Sequence, residues 1–191
     1  MPTPDNRPEH AELDPNAQLG CNVVFAKMGY YSRSELAVSP ESPDFASNLR
    51  KLKAELASPT GAEFKFVLMP SHETGGLPTL YFGNSVANHA EIASYDEYDP
   101  KPVLDAGYIT VRRENGIIRL VVDQESWGIR KTTGDREKNR ELVGDQMAFL
   151  FRLAGFKERI EVEVFSPGRG SDRRSLRIAQ MQEAPKRKRK S

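Results

Sequence analysis

Apolar residues along this chain recur at two different periods, and the periods mark out its elements. Phe45, Leu49, Leu52 and Leu56 are spaced four, three and four apart, which places them on one stripe of a helix. Ser42-Pro43 supplies a hydroxyl cap and a proline suited to a first helical turn, and Pro59 ends the segment. Leu142, Val143, Met147, Leu150, Phe151 and Ala154 draw a second, wider stripe, with Asp135 where a cap belongs and Gly155 where a helix stops. Shorter apolar runs read as strands: Cys21–Phe25, Phe64–Met69 ended by Pro70, Thr79–Phe82 before the Gly83-Asn84 turn, and Asn88–Ser94. Ile160, Val162 and Val164 alternate with Glu161 and Glu163, the pattern of a half-exposed strand.

Asn115-Gly116 lies between two β-rich runs and predicts a tight hairpin, because both central residues of such a turn take positive φ. Pairing outward from it sets Val111 opposite Leu120 and Ile109 opposite Val122, so one face is apolar. The same register sets Arg112 opposite Arg119, a like-charge pair that costs a few tenths of a kcal/mol or more unless an acid or a ligand lies between them. Short, mostly adjacent strands with two helices far apart predict an α+β fold: an antiparallel sheet of about five to six strands with two main helices packed on one face.

Composition divides the chain into three parts. Residues 1–19 are rich in proline, acids and amides, and residues 166–191 in glycine and basic residues. Neither stretch offers enough apolar surface to offset an ordering cost of roughly 1–2 kcal/mol per residue. Residues 1–19 are therefore expected to be disordered, residues 20–165 to form a single domain, and residues 166–191 to be a flexible basic tail. Residues 168–191 hold nine Lys/Arg against two acids, while the other 167 residues hold 19 cations and 25 acids, so a basic end follows a mildly acidic body. The cations culminate in Lys186, Arg187, Lys188, Arg189 and Lys190, a run suited to an import address, an export signal, non-specific contact with phosphate or a plain solubilising end. Cys21 is the only cysteine, which excludes an intramolecular disulfide and a cysteine-based zinc site. No apolar run approaches the length of a membrane span, and the N-terminus lacks the basic and apolar regions of a classical signal peptide. A soluble protein of cytoplasm or nucleus is expected.

Reactive groups are few. His89 and Glu91 are two apart, so on a strand they would share a face. His-Ala-Glu is the opening of the zinc nucleobase deaminase signature, but no Pro-Cys-x-x-Cys follows. His72 sits beside Gly75-Gly76 in a loop, and Ser126 is a candidate nucleophile without a Gly-x-Ser-x-Gly elbow. His72, His89 and Glu91, with Ser126, are thus the candidates for a small hydrolase or transferase. No spacing demands a metal or cofactor, and no glycine-rich phosphate cradle is present. Trp127, Arg112 and Arg119 are the candidate contact residues of the body, and Lys186–Lys190 those of the tail.

The succession Leu104-Asp105-Ala106-Gly107-Tyr108-Ile109, Asn115-Gly116-Ile117-Ile118, Glu125-Ser126-Trp127-Gly128 and a helix ending Leu150-Phe151-Arg152-Leu153-Ala154-Gly155-Phe156 resembles a hairpin-plus-helix module of bacterial toxin- and effector-like proteins. The resemblance covers residues 103–156. That module carries a histidine after the serine; here Trp127-Gly128 follows Ser126, so the histidine's role does not carry over. The resemblance implies a bacterial accessory or effector-like protein and no particular reaction. The expectation is a non-enzymatic protein-binding or effector domain with a basic targeting or electrostatic tail. The alternatives are the hydrolase or transferase above and a nucleic-acid-associated protein acting through its tail.

Overall fold

A computed structural model describes residues 11–12, 20–29, 32–39, 42–58, 61–84, 88–93, 103–123, 136–166 and 173–179. In chain order the elements are β1 (Ala11–Glu12), β2 (Asn22–Met28), β3 (Arg33–Val38), α1 (Phe45–Leu56), β4 (Ala62–Met69), β5 (Thr79–Asn84), α2 (His89–Ile92), β6 (Asp105–Glu114), β7 (Ile117–Asp123), α3 (Arg136–Leu153), β8 (Arg159–Ser166) and β9 (Arg173–Ala179). Strands β2 to β8 form a seven-stranded mixed sheet, which β9 and then β1 extend beyond β8; the spatial order is β1-β9-β8-β7-β6-β4-β5-β2-β3.

The antiparallel sheet of five to six strands with two helices is therefore corrected. Parallel pairs join β2 to β5, β7 to β8 and β1 to β9, and the described residues hold three helices. The reason lies in the connections. The chain leaves β7, crosses the sheet through the 18-residue α3 and re-enters in the same direction, setting Ile118, Leu120 and Val122 beside Ile160, Val162 and Val164. Apolar alternation says which face of a strand is buried; it carries no information about the neighbour's direction. The sheet also reaches into both segments expected to be disordered or flexible: β9 pairs antiparallel with β8, and β1 runs parallel to β9. Residues 180–191, with the whole basic pentamer, lie outside the described residues.

The hairpin forms in the expected register, with Asn115 and Gly116 at φ 52° and 75° and Val111, Ile109 and Arg112 opposite Leu120, Val122 and Arg119. One sheet face carries Val23, Phe25, Phe64, Phe66, Leu80, Phe82, Ile109, Val111, Leu120 and Val162, all buried, and receives Leu52 and Leu56 of α1 with Val143, Met147, Leu150 and Phe151 of α3. Phe25, Phe64 and Phe82 meet at 5.1–6.3 Å between ring centroids, in tilted and edge-on geometry. Helix α1 begins one turn after its expected cap. Ser42 Oγ accepts the Asp44 amide instead, and Asp44 occupies the cap position without a side-chain bond. Helix α3 closes with the Phe156 amide bonded to Phe151 O and the Gly155 amide to Arg152 O, while the Phe156 ring packs on Phe151 at 5.1 Å.

The other sheet face is covered in part. Ile92 of α2 packs with Ala26, Met28 and Tyr81, and Ala93 and Val103 pack with Val67, Met69 and Ala106. Residues 88–93, expected as a strand, are this short helix and its flanks. Asn88 and Glu91 form a reciprocal capping box, and in four residues that local pairing outweighs the weak β pattern.

Candidate functional site

The capping box fixes the fate of two candidate reactive groups. Glu91 Oε2 accepts the Asn88 amide at 2.9 Å while Asn88 Oδ1 accepts the Glu91 amide at 2.7 Å. On the adjoining residue, His89 Nε2 donates to the carbonyl oxygen of Gly107 at 2.9 Å, and its ring stands edge-on to Tyr108 at 5.3 Å. A carbonyl can only accept, so the proton is on Nε2. On a helical turn the imidazole and the carboxylate do not share a face as they would on a strand.

His72 lies elsewhere, exposed in the connection from β4 to β5. Gly107 pairs with Phe66, and from Phe66 to the end of β4 at Met69 is about 10 Å of strand, with the loop still to follow. Among the described residues no three His, Cys, Asp or Glu side chains come together as a metal-holding group, so His72, His89 and Glu91 do not assemble into one. Ser126, Trp127 and Lys186–Lys190 lie outside the described residues.

Arg112 and Arg119 do come together. They are direct partners across β6–β7, both exposed, on the sheet face opposite the core. The acid required by a like-charge pair is Glu161, which the parallel pairing places beside Arg119. Its carboxylate accepts Arg119 Nη2 at 3.1 Å and Arg159 Nε at 3.2 Å, and its side chain is only 8% exposed beneath the two guanidinium groups. Both bonds engage Glu161, and among the described residues no acid pairs with Arg112. A depression of about 150 Å³ opens at this point, lined by Arg112, Glu114, Asn115, Ile117 and Arg119. A second, of about 190 Å³, lies across the hairpin among Arg113, Glu114, Asn115, Ile117 and Glu158. Arg113 serves the fold there. It donates to Leu56 O at 2.8 Å, bridges to Glu158 at 3.3 Å and stacks over Phe156 at 4.9 Å.

The outward face of β6–β7–β8 continues from this cluster in rows set by the register. The next row holds Thr110, Val121 and Glu163, flanked by Glu63 of β4; the row after that holds Tyr108 and Asp123, flanked by Lys65. Helix α2 reaches the last of these rows through the His89 ring, which stands edge-on to Tyr108, and covers the neighbouring part of the same face. Sequence reasoning found Arg112 and Arg119 and missed Glu161 and Arg159. The alternation of Glu161 and Glu163 with valines showed that these side chains face out, but only the parallel crossover reveals which cation each one meets.

The fold also buries a charged pair away from this face. Arg140 Nε of α3 lies 3.7 Å from Asp105 Oδ2 of β6, with both side chains fully enclosed. Asp105 Oδ1 accepts the Ala106 amide at 2.8 Å, and Arg140 Nη1 donates to Phe165 O. The pair ties the start of α3 to two strands.

Compared with known protein families, curated proteins and solved structures, the chain has no match. No described helix is long and apolar enough to cross a membrane.

Proposed function

We propose that this chain is a non-enzymatic binding domain, an accessory or effector-like module whose contact surface is the outward face of β6–β7–β8, with the basic tail as its electrostatic anchor. The observation that carries the reading is that face itself. Its rows mix exposed and half-buried Arg, Glu, Thr, Tyr and Asp side chains, which α2 meets at Tyr108 through the His89 ring. A flat array of mixed charge suits a complementary protein surface, where charge pattern sets register and partner choice. The groups that would favour chemistry are engaged elsewhere: Glu91 on a helix cap and His89 on a backbone carbonyl. The resemblance of residues 103–156 to an effector-like module points the same way.

The test is a comparison of retained proteins. The full chain, an E63R/T110R variant of the face and an R50E/K51E variant of the exposed side of α1 serve as baits for proteins from the source cell. At least one protein should be retained by the native chain and the α1 variant and lost with E63R/T110R. An identical set on all three baits would refute the assignment of the face.

A further inference from the structure

We infer that β3 is a self-recognition edge, to which a second copy of this chain adds its own β3 antiparallel, with Arg33 opposite the partner's Glu35. This goes beyond the β6–β7–β8 face, from which β3 is separated by β4, β5 and β2. β3 ends the sheet, so one of its sides has no strand beside it among the described residues, and such an edge is a template for a further strand. Three hydrogen bonds identify the residues that point to that side. The Asn22 amide donates to Pro78 O at 2.8 Å, so Asn22, Val24 and Ala26 direct their backbone groups to β5, and Val23, Phe25 and Lys27 direct theirs to β3. The Gly29 amide donates to Ser32 O at 2.7 Å, which sets the same alternation in the turn from β2 to β3. Asn48 Nδ2 of α1 donates to Ala37 O at 2.9 Å from outside the ladder. Ser34, Leu36 and Val38 therefore bond to β2, and Arg33, Glu35 and Ala37 present their N–H and C=O groups outward. Asn48 closes the Ala37 carbonyl, while the outward backbone groups of Arg33 and Glu35 take no partner among the described residues.

Charge selects the occupant and its register. Arg33 and Glu35 are two apart on one face of β3 and joined at 2.5 Å, and Arg33 Nη2 also donates to Ile92 O at 2.7 Å, which holds the guanidinium in place. A copy of β3 running antiparallel can meet these groups in several registers. Arg33 opposite the partner's Arg33, or Glu35 opposite the partner's Glu35, sets like charges directly across the pair. Registers that rest on Ala37 need the carbonyl that Asn48 holds. Arg33 opposite the partner's Glu35 avoids both faults. A two-fold axis then passes between the two copies of Ser34, and each flanking Arg33–Glu35 pair exchanges both of its outward hydrogen bonds. The charges alternate around the axis, each Arg between two Glu and each Glu between two Arg. A strand of single-sign charge gains at one position and is repelled at the next. The paired stretch is short, below the area of a stable interface, so the dimer is a weak one that forms and parts readily.

The experiment links full chains through single introduced cysteines. The native Cys21 is 1% exposed, so the introduced thiol is the reactive one. In this register the two copies of position 34 stand about 4.5 Å apart between Cα atoms, within disulfide reach, whereas the two copies of position 33, or of position 35, stand about 8 Å apart, beyond it. Under mild oxidation S34C should form a disulfide-linked dimer at least about tenfold faster than R33C, E35C or E73C, the last a control in the exposed loop after β4. Sedimentation of chains without introduced cysteine gives the second measurement. E35R and R33E should each self-associate at least about fivefold more weakly than the native chain, and an equimolar mixture of the two should regain association, because unlike charges then meet across the axis. E35R keeps the bond from Arg33 to Ile92 O and S34C touches neither charge, so both remain decisive where R33E fails to fold. S34C linking no faster than E73C, E35C linking faster than S34C, or self-association unchanged in E35R would overturn the assignment.

Discussion

Cys21 shows how far one atom's surroundings can depart from what its residue type suggests. The residue is 1% exposed, immediately before β2. Burial pushes its pKa up to about 12 from an ordinary 9.0, against a smaller downward pull from its hydrogen bond to the Leu80 backbone. The folded chain thus holds the thiol proton at pH values where the unfolded chain has released it. The resulting stabilisation is complete below about pH 9 and is lost as the pH climbs towards 12. Urea midpoints of the native chain should fall more steeply between those limits than those of C21A, by up to about 1.4 kcal/mol per pH unit. Parallel curves would show that the thiol ionises in the folded state. Burial of Cys21 was legible from its place at the head of an apolar run. The roles of His89 and Glu91 were not, because the spacing of two residues has opposite meanings on a strand and on a helical turn.

At the level of elements, the two long helices announced themselves and their seating did not. The stripe Leu142, Val143, Met147, Leu150, Phe151 and Ala154 is the buried side of α3, as its period requires. Gly144 sits within that stripe for a reason the period cannot show. A Cβ there would stand 2.6 Å from Val162 Cγ1 and 3.5 Å from methyls of Val122 and Val164, so α3 approaches the β7–β8 pair by virtue of the missing side chain. G144A gains about 1 kcal/mol of helix propensity and loses roughly 2–3 kcal/mol to overpacking at so short a distance, so a net destabilisation of about 1–2 kcal/mol is expected in urea titration. Adding V162A should recover part of it, so that the double variant loses less than the sum of the two single losses by at least about 0.5 kcal/mol. A G144A chain as stable as the native one would mean that α3 sits farther from the sheet. The same limit applied to the strands. Arg112 opposite Arg119 followed from a two-residue turn, a local device; Glu161 beside Arg119 depends on a crossover through α3 that no local pattern encodes.

For the molecule as a whole, α3 is held to the sheet by more than apolar contact. Asp105 and Arg140 are enclosed together, 3.7 Å apart, beneath its first turns. Removing one partner takes the opposite charge at 3.7 Å away from an enclosed one, so D105N or R140M should each cost about 3–5 kcal/mol in chemical denaturation. The double apolar replacement D105L/R140M should cost far less than either, since it removes both desolvation penalties together. Single losses below about 1 kcal/mol would place the pair in contact with water. Asp105 read from the sequence as part of an Ala-Gly strand and Arg140 as one more helix cation; nothing in their separation of 35 residues joined them. What the sequence by itself determined were properties that close within a turn or a strand: the two long helices, the hairpin and its register, and the apolar faces of β6, β7 and β8. Short-range backbone geometry and the periods of 3.6 and 2 are sufficient for these. Strand order, the three parallel pairings, the nine-stranded extent of the sheet and the company of Arg112, Arg119, Glu161 and Arg159 were decided only by the tertiary structure. Each of them depends on which distant segments meet, and an alternating strand is equally well buried against a neighbour running in either direction.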